Sequence, residues 1–359
     1  MSEPRTHEPP AGPATSRVAY AAAHVVAGDE SLDWDATLAF RRHLWSYGLG
    51  VAEAMDTAQR GMGLDWTTTR ELIVRSGEEA LSAGGRIVCG AGTDQLPAGP
   101  ATLEEIAAAY EEQLAVIESV GAVPVLMASR HLAAAASGPE DYAAVYGRLL
   151  AQVGRPVVLH WLGPMFDPAL EGYWGSSDLD AASGALLALI GEHASRIDGV
   201  KISLLDAGRE VDLRRRLPPG VRLYTGDDFN YPELIRGDSE GHSDALLGVF
   251  DPIAPAAAAA LHALDDGDTA SYEEIFGPTV PLARHLFETP TYYYKTGVVF
   301  LAWLTGHQRH FRMVGGLETA RSVPHMAGLF QLADAAGLFP DPDLAAHRMR
   351  AWLTVQGAA

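Results

Sequence analysis

A single lysine, Lys201, interrupts the apolar run in Asp198-Gly199-Val200-Lys201-Ile202-Ser203, which follows a helical stretch and precedes polar residues. A lysine on the inner side of a buried strand is costly to keep charged, because desolvation lowers its pKa. The neutral amine can attack a ketone or aldehyde to give a Schiff base. The alternative is a lysine that snorkels from a strand end or pairs with a nearby carboxylate. Schiff-base chemistry needs a proton shuttle to form the carbinolamine, dehydrate it and protonate the enamine. His160 ends the preceding apolar run, Val157–His160, and is placed for that role. Its other reading is a hydrogen-bonded core histidine. The polar residues that could grip a substrate beside this pair are Glu53, Asp56, Thr57, Ser203, Asp227 and Asp228, each at or just after the end of an apolar run.

Such residues must be brought together by strands, and the chain carries eight strand candidates separated by helical periodicity. These are Val18–Val26, Val51–Met55, Arg86–Cys89, Val123–Met127, Val157–His160, Gly199–Ser203, Val221–Tyr224 and Ala245–Phe250. Helices are expected between them, among them Thr102–Val120, which opens on a Thr-Leu-Glu-Glu capping pattern, and Pro139–Val153. Gly and Pro precede Val157, Val200 and Val221 and punctuate the helix ends. This rhythm predicts a (β/α)8 TIM barrel, whose active site lies at the C-terminal strand ends. A doubly wound sheet is the alternative, but the dinucleotide glycine fingerprint is missing from Ala23-His24-Val25-Val26-Ala27-Gly28-Asp29. From about Ser271 the pattern turns helical, through Thr289–Leu304, Ser322–Leu338 and Pro342–Val355. The expected organisation is a disordered tail over 1–16, a barrel over 17–270 and a C-terminal helical extension over 271–359.

Composition narrows the partners. The chain has 359 residues, 48% hydrophobic and 20% charged, with a formal net charge of −20. Such acidity argues against nucleic acid and against an anionic membrane surface, both of which call for basic patches. No apolar stretch reaches the roughly 18 residues of a membrane span, and the Pro-rich, polar first residues do not read as a signal peptide. A soluble, cytoplasmic protein is expected. The single cysteine, Cys89, lies in an apolar run and reads as a core thiol.

Several segments carry a resemblance. Asp198-Gly199-Val200-Lys201, Tyr224-Thr225-Gly226-Asp227-Asp228, Leu264-Asp265-Asp266-Gly267-Asp268, Tyr294-Lys295 through Leu304-Thr305-Gly306, and Cys89-Gly90-Ala91-Gly92-Thr93 occur in that family's order and spacing. From about 18 to 306 the chain resembles the dihydrodipicolinate synthase/N-acetylneuraminate lyase family of class I aldolases, as a divergent subfamily. The resemblance implies a barrel with a helical C-terminal extension, Lys201 as the Schiff-base lysine, a small-molecule carbonyl substrate, no cofactor and no metal, and a dimer or tetramer. Two departures stand out. Where the family carries Gly-Thr-Thr-Gly-Glu after strand two, this chain reads Asp56-Thr57-Ala58-Gln59-Arg60. Where it carries Tyr-Asn-x-Pro on strand five, this chain reads His160-Trp161-Leu162-Gly163-Pro164. Histidine in the tyrosine's place moves the shuttle's ordinary pKa from about 10 to about 6.5. Glu53 and Asp56 suit sugar hydroxyls or an amine better than a keto-acid carboxylate, which they would repel.

The reading from the residues is a Schiff-base lyase acting on a keto-sugar or keto-acid derivative. A metal-dependent isomerase or hydrolase, using some of His24, Glu53, Asp56, His160 and Asp228, is the second reading, and a non-catalytic barrel the third. Trp161, Phe166, Tyr173 and Trp174 read as one loop after strand five, either a packed loop or a carbohydrate platform. Tyr292 to Lys295 reads as helix packing, the run His307 to Arg312 as a solvated helix end, and Arg214, Arg215 and Arg216 as surface.

Overall fold

The structure is a computed structural model and describes residues 1–358. Eight strands close a parallel barrel in sequence order: β1 (Ala19–Ala22), β2 (Gly50–Glu53), β3 (Ile87–Ala91), β4 (Val123–Leu126), β5 (Val157–Leu162), β6 (Ile197–Ser203), β7 (Arg222–Thr225) and β8 (Asp244–Leu247). Helices alternate with them: α1 (Trp34–Ser46), α2 (Trp66–Ala83), α3 (Leu103–Ser119), α4 (Arg130–Ala135), α5 (Pro139–Gln152), α6 (Leu179–His193), α7 (Ala207–Arg216), α8 (Tyr231–Arg236) and α9 (Ala254–Asp265). The chain then continues through α10 (Thr269–Phe276), α11 (Thr279–Leu286), α12 (Tyr294–Leu304), α13 (Val323–Ala335) and α14 (Pro342–Val355). The fold is thus a TIM barrel with C-terminal helices.

The strand limits differ from the apolar runs for local reasons. β1 stops at Ala22 because the next amides go elsewhere: His24 donates its N–H to Asp251 Oδ2 (2.8 Å) and Val26 to Thr37 Oγ1 (3.1 Å). β8 stops at Leu247 because the chain turns, Asp251 N–H donating to the Gly248 carbonyl. β5 runs to Leu162, so His160 sits inside a strand and not at its tip. At α3 the capping box is complete: Thr102 Oγ1 accepts from Glu105 N–H, and Glu105 accepts from Thr102 N–H. The expected helix over Thr289–Leu304 is two pieces, a 3₁₀ turn at Thr291–Tyr293 and then α12.

Packing groups the residues into two compact bodies. The first takes 1–51, 56–64 and 247 onward. Its core holds Phe250, Phe276, Phe287 and Phe300, all buried. The first sixteen residues carry no helix or strand, yet they are tied to this body. Arg5 N–H donates to the Gly337 carbonyl (3.0 Å), and Asp265 accepts from the amides of Thr15 (2.6 Å) and Ser16 (2.8 Å). The second body takes 52–55 and 65–246. It buries Tyr110, Tyr146, Tyr173 and Trp174, and its free thiol Cys89 is fully enclosed.

Candidate active site

Strand alternation sets the faces of β6. Val200 and Ile202 are each 1% exposed and point one way, Lys201 and Ser203 the other. The register places Lys201 between His160 of β5 and Tyr224 of β7, and Ser203 beside Leu162. Lys201 itself is 8% exposed. The residue after β7, Gly226, closes in tightly: its N–H donates to the Ile202 carbonyl at 2.8 Å. A Cβ there would lie 2.1 Å from Ser203 Oγ and 2.8 Å from Lys201 Cε, so only glycine lets the backbone come this near the lysine stem.

His160 is completely buried, with Nε2 3.2 Å from Ser203 Oγ. Its Nδ1 is enclosed and has no hydrogen-bond partner. Burial first, and then the positive charge of Lys201, push its pKa well below the ordinary imidazole range. The ring is therefore neutral at neutral pH, with one nitrogen able to donate and the other to accept. Amine, imidazole and hydroxyl thus form one small polar set on the neighbouring strands β5 and β6.

The other residues expected at the site have varied surroundings. Glu53 is fully buried and accepts from Ser76 Oγ of α2 (2.7 Å) and from Ala54 N–H (2.9 Å), which fastens β2 to α2. Asp56 opens a 3₁₀ turn, half-buried, its carbonyl accepting from Gln59 N–H. Thr57 Oγ1 shares a 2.8 Å hydrogen bond with Tyr294 OH, and that ring stacks on Phe287 at 4.3 Å. Asp227 caps its own turn, accepting from the amides of Phe229 (2.9 Å) and Asn230 (3.0 Å) and from Asn230 Nδ2 (2.8 Å). Asp228 is buried beside it.

One ionisable group escaped the sequence reading. Glu210 of α7 is 1% exposed, where Thr225 Oγ1 (3.0 Å) and Ser243 Oγ (2.7 Å) donate to it. Burial is the main cause that raises its pKa to about 8, against the pull of those two hydroxyls. Nothing in the polar helix Ala207–Arg216 marks it, since its partners come from β7 and from before β8. Arg214, read as surface, is also drawn in. Its side chain is 8% exposed and pairs with Asp238 at 2.9 Å. Arg215 and Arg216, both 46% exposed, remain outside.

The aromatic residues after β5 are packed. Trp161 belongs to β5 itself. Tyr173 and Trp174 lie against Tyr142 and Tyr146 of α5, with Tyr173 OH accepting from Ser129 N–H (3.0 Å). Lys295 is 2% exposed, donates to the Tyr292 carbonyl (3.2 Å) and lies over the Tyr292 ring. His307 is drawn inward between His43 and Phe40, at variance with a solvated helix end.

As to metal chemistry, His24 gives Nδ1 to Asp251 (2.8 Å), and Glu53 is engaged as above. Among the described residues, the one group of three potential ligands within reach of each other is His285, Glu288 and His325. There the two imidazoles stack at 4.2 Å with planes only 19° apart. Lone pairs in such planes run side by side and do not converge on one ion.

A family model described as "Protein of unknown function (DUF993)" matches residues 1–358. The chain belongs to the DUF993 family. No curated protein matches it in sequence. Solved structures similar to this DUF993 member include a putative dihydrodipicolinate synthetase from Pseudomonas aeruginosa, with a TM-score of 0.70 and 16% identity over 89% of this chain and 99% of that one. Dihydrodipicolinate synthase from Aquifex aeolicus gives a TM-score of 0.68 and 15% identity over 90% and 99%. YagE, a prophage protein of the dihydrodipicolinic acid synthase family from E. coli K12, solved in complex with pyruvate, gives 0.69 and 14% over 90% and 99%. At these identities the likeness is one of fold, and it spans almost the whole of those chains. In addition, no helix among the described residues is long and apolar enough to cross a membrane.

Proposed function

We propose that this DUF993 protein is a class I, Schiff-base-forming lyase of aldolase type, with Lys201 as the amine and His160 as the proton shuttle. The observation that carries the reading is the β5–β6 juxtaposition. A buried lysine pairs in register with a buried, neutral histidine, and the neighbouring strand end is pared to glycine at the lysine's Cε.

In the proposed course the neutral Lys201 Nζ adds to the substrate carbonyl carbon, and as that nitrogen gives up one proton the carbonyl oxygen takes one up, which gives the neutral carbinolamine. Loss of that oxygen as water, on a second proton delivered through His160 and the Ser203 hydroxyl, leaves the protonated Schiff base. The iminium then draws electrons from the adjacent carbon–carbon bond, which breaks to an enamine as the β-hydroxyl gives up its proton and becomes the carbonyl of the departing fragment. Reprotonation of that enamine through the same imidazole and hydrolysis return the free lysine. For a carbon–oxygen lyase the α-carbon instead loses its proton to form the enamine, which expels the β-oxygen as water on a returned proton. His160 suits a shuttle because neither nitrogen is locked by a carboxylate, and its low proton affinity makes it give a proton back at once.

The substrate class proposed is a small carbonyl compound, a keto-acid or keto-sugar derivative, with Asp56, Thr57, Asp227 and Asp228 as the proposed binding residues. Glu53 remains in that proposed set only indirectly, through the position it gives β2. The fold likeness to dihydrodipicolinate synthases and to YagE, a member of their family solved with pyruvate, makes pyruvate the first carbonyl to try. A cytoplasmic homo-oligomer is the proposed setting, and sedimentation of the purified chain tests the assembly.

The deciding experiment is borohydride trapping with pyruvate and a panel of keto-sugars and aldehydes, read by intact mass and peptide mapping. A substrate-sized adduct on Lys201 is expected. Lys201→Ala should give no adduct and turnover at the background rate while keeping the wild-type circular dichroism. Turnover retained in that variant would sink the lyase reading.

A further inference from the structure

The later helices of the first body hold two histidines face to face. His285 lies in the last turn of α11 and His325 in the first turn of α13, and their rings stack at 4.2 Å with planes 19° apart. α13 is shaped to receive the ring of His285. A Cβ on its interior residue Gly328 would stand 3.0 Å from His285 Nε2 and 3.2 Å from Cε1. Glycine inside a helix costs about 1 kcal/mol against alanine, and this close ring contact accounts for its use here.

The partners fix which nitrogen of each ring carries a proton. His285 Nε2 is 2.8 Å from the His325 carbonyl, which can only accept, so Nε2 is the donor and the neutral ring is bare at Nδ1. That Nδ1 lies 3.5 Å from Glu288 Oε2. His325 Nδ1 donates to Glu288 Oε1 at 2.8 Å, which leaves its Nε2 bare, buried and without a partner. One carboxylate thus faces both rings.

The charges around the pair come from few places. Glu288 follows α11, and Arg321, just before α13, donates to the carbonyls of Glu288 (2.8 Å) and Pro290 (2.9 Å). Arg284 of α11 is exposed, and Lys295 of α12, the helix packed against both, donates to the Tyr292 carbonyl. With both rings neutral, Glu288 and Arg321 balance. A first added proton is best placed on His285 Nδ1, facing Glu288 at the C-terminal end of α11, where positive charge is favoured. A second has only His325 Nε2, which is buried without an acceptor at the N-terminal end of α13 and beside a ring already charged. Burial first pushes the His325 pKa below 6.5. The Glu288 bond pulls it up, and His285 and Arg321 push it down again. The unfolded chain therefore takes this proton before the folded one does, so the packing is complete above about pH 6.5 and weakens as pH falls below it.

We propose that His285, His325 and Glu288 form an acid-released clasp, which locks α13 onto α11 at neutral pH and lets it go when both rings are charged. The release reaches beyond α13, because Asp334 of the same helix accepts from the Ser2 amide (2.9 Å) and anchors the first residues of the chain.

The test is hydrogen exchange of the full chain at pH 5 and pH 7.5, with EDTA present, read peptide by peptide by mass spectrometry and corrected for intrinsic rates. Peptides of α13 should open at least about tenfold more at pH 5, while those of α3 in the second body should not change. His325→Gln keeps a donor for Glu288 with no proton to gain, and His285→Phe keeps a stacked ring. In each, α13 should stay as protected at pH 5 as at pH 7.5. His347→Gln, at an exposed position of α14, should behave like wild type. Equal protection of wild-type α13 at the two pH values overturns the proposal, and so does an undiminished pH response in either folded variant.

Discussion

At the end of β7 two successive residues serve opposite sides of the sheet, and the two sides treat buried polar groups in opposite ways. Thr225 turns to α7 and joins a closed set: its hydroxyl and that of Ser243 both donate to Glu210. Gly226 turns to β6 and brings its backbone close against Lys201 and Ser203, with His160 Nδ1 enclosed and unbonded on the neighbouring strand. Both sides bury an ionisable group at a cost in solvation. Behind the sheet that cost is offset by hydrogen bonds to both carboxyl oxygens, which tie α7 to β7 and to the segment before β8. In front one ring nitrogen, His160 Nδ1, is buried without a hydrogen-bond partner. A saturated buried network holds a fold together, whereas an unsaturated one is available for binding or chemistry.

The contrast can be broken from either side, and the front should show the largest effect. His160→Phe should slow turnover by about 10²–10⁴-fold with little change in KM, since only proton steps are lost. Steady-state kinetics on the carbonyl found by trapping measures this, and an unchanged kcat would remove His160 from the mechanism.

Behind the sheet the readout is stability against pH. Folded, Glu210 keeps its proton to about pH 8, while its ordinary value is 4.5. The folded state therefore holds one more proton across that window. This contribution is complete below pH 4.5, declines as pH rises, and is gone above about pH 8. Glu210→Gln should flatten the decline between pH 5 and pH 8, by roughly 4 kcal/mol at most. Urea unfolding at the two pH values decides it, and parallel wild-type and variant curves would mean that Glu210 is ionised in the folded protein.

Gly226→Ala tests this close approach of the backbone. Its methyl group meets the Ile202 carbonyl at 2.7 Å as well as Ser203 Oγ, so the strands must shift. A loss of about 1–3 kcal/mol in chemical denaturation is expected, with a fall in borohydride trapping. Normal trapping would show that the glycine is not needed for the lysine. The smallest effect belongs to a saturated pair in the other body. Thr57→Val removes the bond to Tyr294 OH and should cost about 1 kcal/mol in thermal unfolding. A neutral result would mean that water replaces the hydroxyl.

Much of the scaffold could be read directly from residue order. Val123, Val157 and Pro342 begin their elements where the pattern of apolar and polar residues put them, because strands and helices have fixed periods. The Thr102 cap was equally plain, since a capping box is a contact over three residues. Less of the candidate site was legible. Glu53 and Asp227 stood out as carboxylates at strand ends, but the hydroxyl and amides that occupy them were not visible. Glu210 gave no signal at all, and His307 was noticed only as part of a polar run that reads as a solvated helix end.

The sequence by itself therefore determined the alternation of strand and helix, the fold class, and the presence of one lysine on the sixth strand. Each of these depends on neighbours within a few residues. Only the tertiary structure decided which buried polar groups are closed and which are left open. His160 meets Ser203 across 43 residues, and His24 meets Asp251 across 227. Satisfaction of a hydrogen bond depends on where two distant groups arrive in space, and periodicity carries no record of that.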